Sequence, residues 1–349
     1  MNSISNIFSD IREHFTQNLN IEKSCLKEVG HVLDIVFKSI ISIPNEYIAS
    51  CYNIIKKELN PRVLRGTDSD IPIKLTATLC LSTAPNQEAY DQILAQNCAC
   101  CAFQKGEHLP LSSNYDCPQY IVRKTLYYPK GIKALILVPQ DKAAGLEPKI
   151  VFSGTDIFNV HNVIDDLPKE IGSRNFPKFK HVLKSELEAI NQEYGRAHVL
   201  GFSYGGTIAQ RLTANYPALI ARCTRHNSPG VGERKIEKFA KQISLMPEGL
   251  EKPKIVSYRH AKDLPSLVGG EGLPCDEGFN FTCGTTKDNL SFLEVHSFNT
   301  LSTGAHVKAN ATVPKDLKRF AKFLDCTRVS IHKVLSCIEK INSTVLRAN

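Results

Sequence analysis

No apolar stretch in this chain is long enough to cross a bilayer. The longest, Val32 to Ile43, is interrupted by Asp34 and Lys38 and falls short of the ~20 apolar residues that a spanning helix needs. A secretory leader is missing as well, because Asp10, Arg12 and Glu13 break the first fifteen residues before any apolar core can form. Such a chain is expected to fold in a reducing cytosol, with its thiols free. Basic runs are also absent. The net charge of +8 comes from 43 Lys and Arg against 35 Asp and Glu, scattered and mixed, so nucleic-acid binding is not expected. Mild attraction to an anionic membrane surface, as a peripheral contact, stays open. There is no internal repeat and no low-complexity segment. The 12 cysteines include the cluster Cys98, Cys100 and Cys101, with His108 and Cys117 downstream. As a set these match none of the usual zinc-site spacings, so they are read as packed free thiols with no metal.

What is present is an ordinary globular composition, 42% hydrophobic and 22% charged over 349 residues, enough for a sizeable core. Three segments are expected. Residues 1–60 carry apolar side chains at helical spacing (Ile4, Ile7, Phe8, Ile11, Phe15; then Leu26, Val29, Leu33, Val36) and read as a helical extension. That extension either packs on the main domain or offers a surface to a membrane or partner. Residues 61–312 form the main domain, and 313–349 a basic, amphipathic helical tail laid back on it.

Within the main domain, Ile71 to Leu81, Tyr120 to Tyr128 and Ile132 to Val138 have strand composition, with a helix and a cysteine-rich loop over Pro85 to Pro118. Lys149 to Phe152, Arg196 to Phe202, Ala218 to Arg225 and Lys254 to Tyr258 read as strands that alternate with helices over Pro177 to Tyr194 and Glu233 to Leu245. Leu264 to Asn289 reads as a loop, and Leu290 to Phe298 as the last strand. Alternation of this kind predicts an α/β fold with a mostly parallel central sheet flanked by helices. Ligands of such sheets bind beyond the carboxyl ends of the strands.

One stretch stands at such an end. Gly201-Phe202-Ser203-Tyr204-Gly205-Gly206 lies between an apolar run and a helix-forming run, the strand–turn–helix context in which G-x-S-x-G presents a nucleophilic serine. A serine hydroxyl needs a base to take its proton and an acid to orient that base. The acid is expected in a turn after a later strand, and Asp263 fits. For the base there are two candidates. His306 sits in the loop Thr303-Gly304-Ala305-His306 and is preferred, because loops past strand ends carry mobile general bases. His296 is the alternative, although its place in the strand Leu290 to Phe298 equally suits a structural histidine. The oxyanion hole is expected from the amide of Tyr204 and from Thr155, in the turn Ser153-Gly154-Thr155-Asp156.

Together these segments resemble the class 3 lipases, a branch of the α/β-hydrolases. The resemblance is carried by the oxyanion turn Ser153-Gly154-Thr155-Asp156 with Asn159 or Asn162 and Asp166-Leu167, and by the nucleophile turn Gly201 to Gly206 with Ala209 and Pro217. Asn227-Ser228-Pro229-Gly230-Val231-Gly232 and the acid turn Tyr258 to Leu267 complete it. It spans about residues 130 to 310. Departures lie at Phe202 and Tyr204, where the family has His and Leu, at Ser153, where Arg is common, and in the histidine region. The patchwork is also similar to lipase-like effectors delivered by intracellular bacteria. The resemblance implies hydrolysis of a lipid carboxylic ester through an acyl-enzyme on Ser203, without a cofactor, and a lid made of Ile157, Phe158 and Val160. The same constellation serves acyltransferases, thioesterases and peptidases, and the fold alone also serves inactive binding modules.

Overall fold

The computed structural model describes residues 79–109, 120–128, 132–154, 170–281 and 295–296, with 312, 313, 315, 317, 318, 321, 322 and 325 of the C-terminal segment. The chain divides into two compact units, Met1–Thr67 with Ser330–Asn349, and Asp68–Val329. All described residues belong to the second. The helical extension expected over residues 1–60, and most of the tail over 313–349, lie outside them.

Seven strands form one sheet in the order in which they occur along the chain: β1 (Tyr120–Tyr127), β2 (Lys133–Pro139), β3 (Lys149–Phe152), β4 (Ala197–Phe202), β5 (Ile220–His226), β6 (Lys254–His260) and β7 (Glu277–Phe281). β1, β2 and β3 pair antiparallel, and β3 through β7 run parallel. This is the mostly parallel, helix-flanked α/β sheet that the alternation of segments predicts. α1 (Gln87–Ile93) covers one face, while α2 (Phe176–Tyr194), α3 (Tyr204–Asn215) and α4 (Glu233–Ser244) belong to the other.

Both faces are apolar, so the central strands alternate between two cores. Ala134, Ile136, Ile150, Phe152 and Val199 pack with α2 and α3. Leu135, Leu137, Val151, Leu200 and Phe202 pack with α1. In β1 the face switches within the strand. Val122 lies on the α1 side and Leu126 on the other, although both are even-numbered. The register shift between Val122 and Lys124 accounts for this, because one extra residue turns every later side chain over.

The helices follow from local sequence. α1 is capped by the Asn86 side chain, which accepts from the Ala89 amide at 2.9 Å. α2 starts with Pro177 in its first turn, buries Phe176, Phe179, Leu183, Leu187 and Ile190 at helical spacing, and stops at Gly195.

Three expectations are corrected. Leu79 to Ser82 is helical, not the end of a strand; the hydroxyls of Ser82 and Thr83 donate to the carbonyls three residues back, which closes a helical turn. The remainder of Ile71 to Leu81 lies outside the described residues. The stretch read as a loop, Leu264 to Asn289, holds β7, whose sequence Glu-Gly-Phe-Asn-Phe has only a weak alternation. Because β7 takes the place beside β6, Val295 and His296 are not in a strand of this sheet and sit in a helical turn.

Candidate active site

Ser203 joins β4 to α3 with φ 53° and ψ −125°, a conformation that costs a non-glycine residue about 1–3 kcal/mol and persists only where its surroundings enforce it. The enforcing contacts are visible. A Cβ on Gly201 would overlap the backbone of Gly205, and one on Gly205 would overlap the carbonyls of Phe152 and Ser153. The first turn of α3 is therefore pressed against its own strand and against the end of β3. The Ser203 amide donates to the His226 carbonyl at the end of β5, at 2.9 Å. A Cβ on Gly154 would stand 3.5 Å from Ser203 Cβ, so the turn after β3 begins beside the serine. Tyr204 is the first residue of α3.

Asp263 lies just beyond β6 and is fully buried. Its amide donates to the His260 carbonyl at 2.9 Å. Its Oδ2 accepts from the Ser266 amide at 3.1 Å, and the Ser266 hydroxyl donates to its main-chain carbonyl at 2.9 Å. These bonds leave Oδ1 directed at His296 Nδ1, 2.7 Å away. His296 Nε2 is 2.8 Å from Ser203 Oγ. Hydroxyl, imidazole and carboxylate thus form one line, drawn from the carboxyl ends of β4 and β6 and from the segment at 295–296. The imidazole in that line is the alternative candidate; the preferred one, His306, lies outside the described residues. So do Thr155, Ile157, Phe158 and Val160.

Two neighbours were not singled out from sequence. Phe202 packs its ring on the His296 imidazole, with centroids 5.0 Å apart. Asn227, the residue after β5, has φ 44° and is buried. It donates from Nδ2 to the His296 carbonyl at 2.9 Å and accepts at Oδ1 from the His260 amide at 2.9 Å. The signal for Asn227 was local: asparagine before Ser-Pro at a strand end is a residue that tolerates φ > 0.

On the α1 face, next to this line, burial governs the histidines. His226 is pushed down to about 3 by desolvation, with Lys149 adding to the effect. Its ring stacks on Tyr258, which stacks on Phe279. His198 is also held well below its ordinary value by burial. His260 is lowered by burial against the opposing pull of Asp263, and its Nδ1 accepts from the Lys262 amide at 3.1 Å. Among the described residues, no three His, Cys, Asp or Glu side chains are grouped to hold a metal ion. Among the same residues, no helix is long and apolar enough to cross a membrane.

A serine hydroxyl bonded to an imidazole that is bonded to a buried carboxylate can deprotonate the hydroxyl as it attacks an electrophilic carbon. It can then return the proton to the departing group. No protein-family model matches the sequence, and no curated protein matches it. Solved structures that are similar in part include two lipases. The Lip2 lipase of Yarrowia lipolytica is 12% identical with a TM-score of 0.36, over 60% of this chain and 79% of that one. The Rhizomucor miehei lipase, in complex with its propeptide, is 15% identical with a TM-score of 0.36, over 64% of this chain and 71% of that one.

Proposed function

We propose that the protein is a serine hydrolase that cleaves a lipid carboxylic ester, of lipase or phospholipase A type, through an acyl-enzyme on Ser203. The observation that carries this reading is the continuous line from Ser203 Oγ through His296 to the buried Asp263, at 2.8 and 2.7 Å. Ser203 Oγ attacks the ester carbonyl while His296 Nε2 takes its proton. The tetrahedral intermediate collapses, His296 returns that proton to the alcohol, and water then repeats the sequence on the acyl-enzyme. Asp263 holds Nδ1–H and supports the imidazolium. The reaction calls for no metal or organic cofactor.

The developing oxyanion is assigned to the amide of Tyr204, at the start of α3, and to Thr155, the residue after Gly154. Ile157, Phe158 and Val160 come directly after and are assigned as a lid that a lipid surface displaces. A charged residue at position 158 is then expected to impair hydrolysis of aggregated lipid more than of a short soluble ester; equal losses would remove the lid. Lipid specificity rests on the motif resemblance, and the serine chemistry rests on the geometry.

The test is a fluorophosphonate probe together with a panel of triacylglycerol, phospholipid, short-chain ester and acyl thioester. Labelling and ester hydrolysis that both vanish in Ser203→Ala support the reading. A folded wild-type protein that neither labels nor hydrolyses any ester overturns it, and a preference for the thioester moves the substrate class.

A further inference from the structure

We propose that Asn227 is a positioning residue, which uses one side-chain amide to hold the acid-bearing and base-bearing segments in register over Ser203. The inference rests on the reading of Ser203, His296 and Asp263 as the reacting groups. The hydrogen bonds form a closed circuit. Asn227 Nδ2 donates to the His296 carbonyl and Asn227 Oδ1 accepts from the His260 amide, both at 2.9 Å. The His260 carbonyl accepts from the Asp263 amide at 2.9 Å, and Asp263 Oδ1 meets His296 Nδ1 at 2.7 Å. The serine is attached to the same point, because its amide donates to the carbonyl of His226, the residue preceding Asn227. All three reacting side chains are therefore referred to the last turn of backbone after β5.

The requirements at position 227 select asparagine. One partner is a carbonyl and can only accept; the other is an amide and can only donate. The side chain must supply both roles, which fixes the orientation of its amide. A carboxylate would set an acceptor against the His296 carbonyl, and a hydroxyl is too short to span both. Glutamine carries the same amide on a longer stem and would displace both contacts. The backbone at φ 44° adds a second condition, which asparagine tolerates better than other side chains. The Asn227 amide also donates to the Tyr258 carbonyl at 2.8 Å, so its frame is anchored in β6.

The clamp acts on geometry rather than on substrate. Misplacement of a reacting group by about 1 Å lowers rate about 100-fold, and the Asn227 side chain holds the His296 main chain at its carbonyl. The expected consequence of losing the clamp is a fall in kcat with KM retained.

The experiment compares full-length wild type, Asn227→Gly, Asn227→Asp and Ser203→Ala. Glycine keeps the backbone free at φ > 0 and removes both bonds; aspartate keeps the acceptor and removes only the donor. Thermal unfolding, fluorophosphonate labelling rate, and kcat and KM on a short soluble ester are measured for each. Phe239→Leu, on the buried side of α4, serves as a variant that lowers stability away from the clamp and is expected to keep wild-type kcat. The expected result is a folded Asn227→Gly protein whose labelling rate and kcat fall about 10- to 100-fold with KM within about twofold, and an Asn227→Asp protein impaired in the same two quantities.

Wild-type labelling and kcat in folded Asn227→Gly overturn the inference while leaving the serine chemistry intact, since Ser203→Ala remains unlabelled. If Asn227→Gly does not fold, a folded Asn227→Asp protein with wild-type kcat overturns it equally. Failure of both variants to fold assigns Asn227 to stability and also overturns it. Absence of labelling in the wild type brings down the underlying reading, and the inference with it.

Discussion

The ring of Phe202 rests against the imidazole of His296 at a centroid distance of 5.0 Å and an interplanar angle of 38°. The residue before the serine therefore walls one side of the imidazole that meets the serine hydroxyl. Phe202 is also part of the core under α1, so the imidazole is backed by packed side chains rather than by water. Phe202→Leu keeps most of the volume and is expected to cost under about 1.5 kcal/mol in stability. It leaves the imidazole free to tilt, and kcat/KM on a soluble ester is expected to fall about 10-fold. An unchanged kcat/KM would show that the contact does not orient the base.

The short contact between Asp263 and His296 makes a sharper prediction. In Asp263→Asn the side-chain oxygen can still accept from the Ser266 amide, so the loop keeps its main local bond. The new NH2 then points at His296 Nδ1 and forces that nitrogen to accept. The proton moves to Nε2, which faces Ser203 Oγ and can no longer act as a base. A loss of about 10⁴-fold in kcat is expected with the melting temperature close to wild type. A loss below about 10-fold would deny Asp263 its orienting role.

The sheet and the serine could be read from sequence because each rests on a local pattern. Lys149-Ile150-Val151-Phe152 and Ala197 to Phe202 are short apolar runs with turns behind them, and Gly201 and Gly205 are dictated by close backbone approach. Asp263 followed from chain order alone. His296 was harder, because the residues around it alternate like a strand. What takes Val295 and His296 out of this sheet is remote: β7, which ends at Phe281 in a stretch without clear period, occupies the position beside β6. The Asn227 clamp depends on three segments meeting, and nothing in the neighbourhood of position 227 encodes its partners.

His226 carries a pH prediction. Its ring is buried, and neither ring nitrogen has a partner among the described residues. Burial holds its pKa at about 3, against an ordinary value of about 6.5. The folded state thus binds fewer protons than the unfolded state below about pH 6.5, and the stability this group permits is lost as pH falls toward 3. At pH 5 the loss is about 2 kcal/mol. His226→Phe keeps a ring to stack on Tyr258 and keeps the main-chain carbonyl that receives the Ser203 amide. Denaturant unfolding at pH 7.5 and pH 5 is expected to show the variant gaining about 2 kcal/mol on wild type between the two. His198 is present in both proteins; burial is the largest cause of its low pKa and the charge of His226 the smallest, so its contribution largely cancels in the difference. A gap that stays constant with pH would mean that His226 is not held neutral.

The pair Asp91 and Lys149 links α1 to β3 in the core on the Phe202 side of the sheet. Both side chains are over nine-tenths buried; Asp91 also accepts from Gln87 Nε2 at 2.8 Å, and the Lys149 ammonium lies over the Tyr120 ring. Two charges removed from water recover most of their desolvation from one another, so removing one partner strands the other. Asp91→Ala is expected to cost about 3–5 kcal/mol, because Lys149 is left buried without its ion-pair partner. Asp91→Leu combined with Lys149→Met places apolar groups of similar volume at both positions and is expected to recover most of that loss. Chemical denaturation of the two proteins checks this. If the double variant is as unstable as the single one, the pair serves α1 through its hydrogen-bond geometry rather than by mutual neutralisation. The ester activity of the double variant then adds a separate fact: α1 packs against Leu200 and Phe202, and retention of wild-type kcat would show that its ionic attachment is not required to hold the strand beneath Ser203.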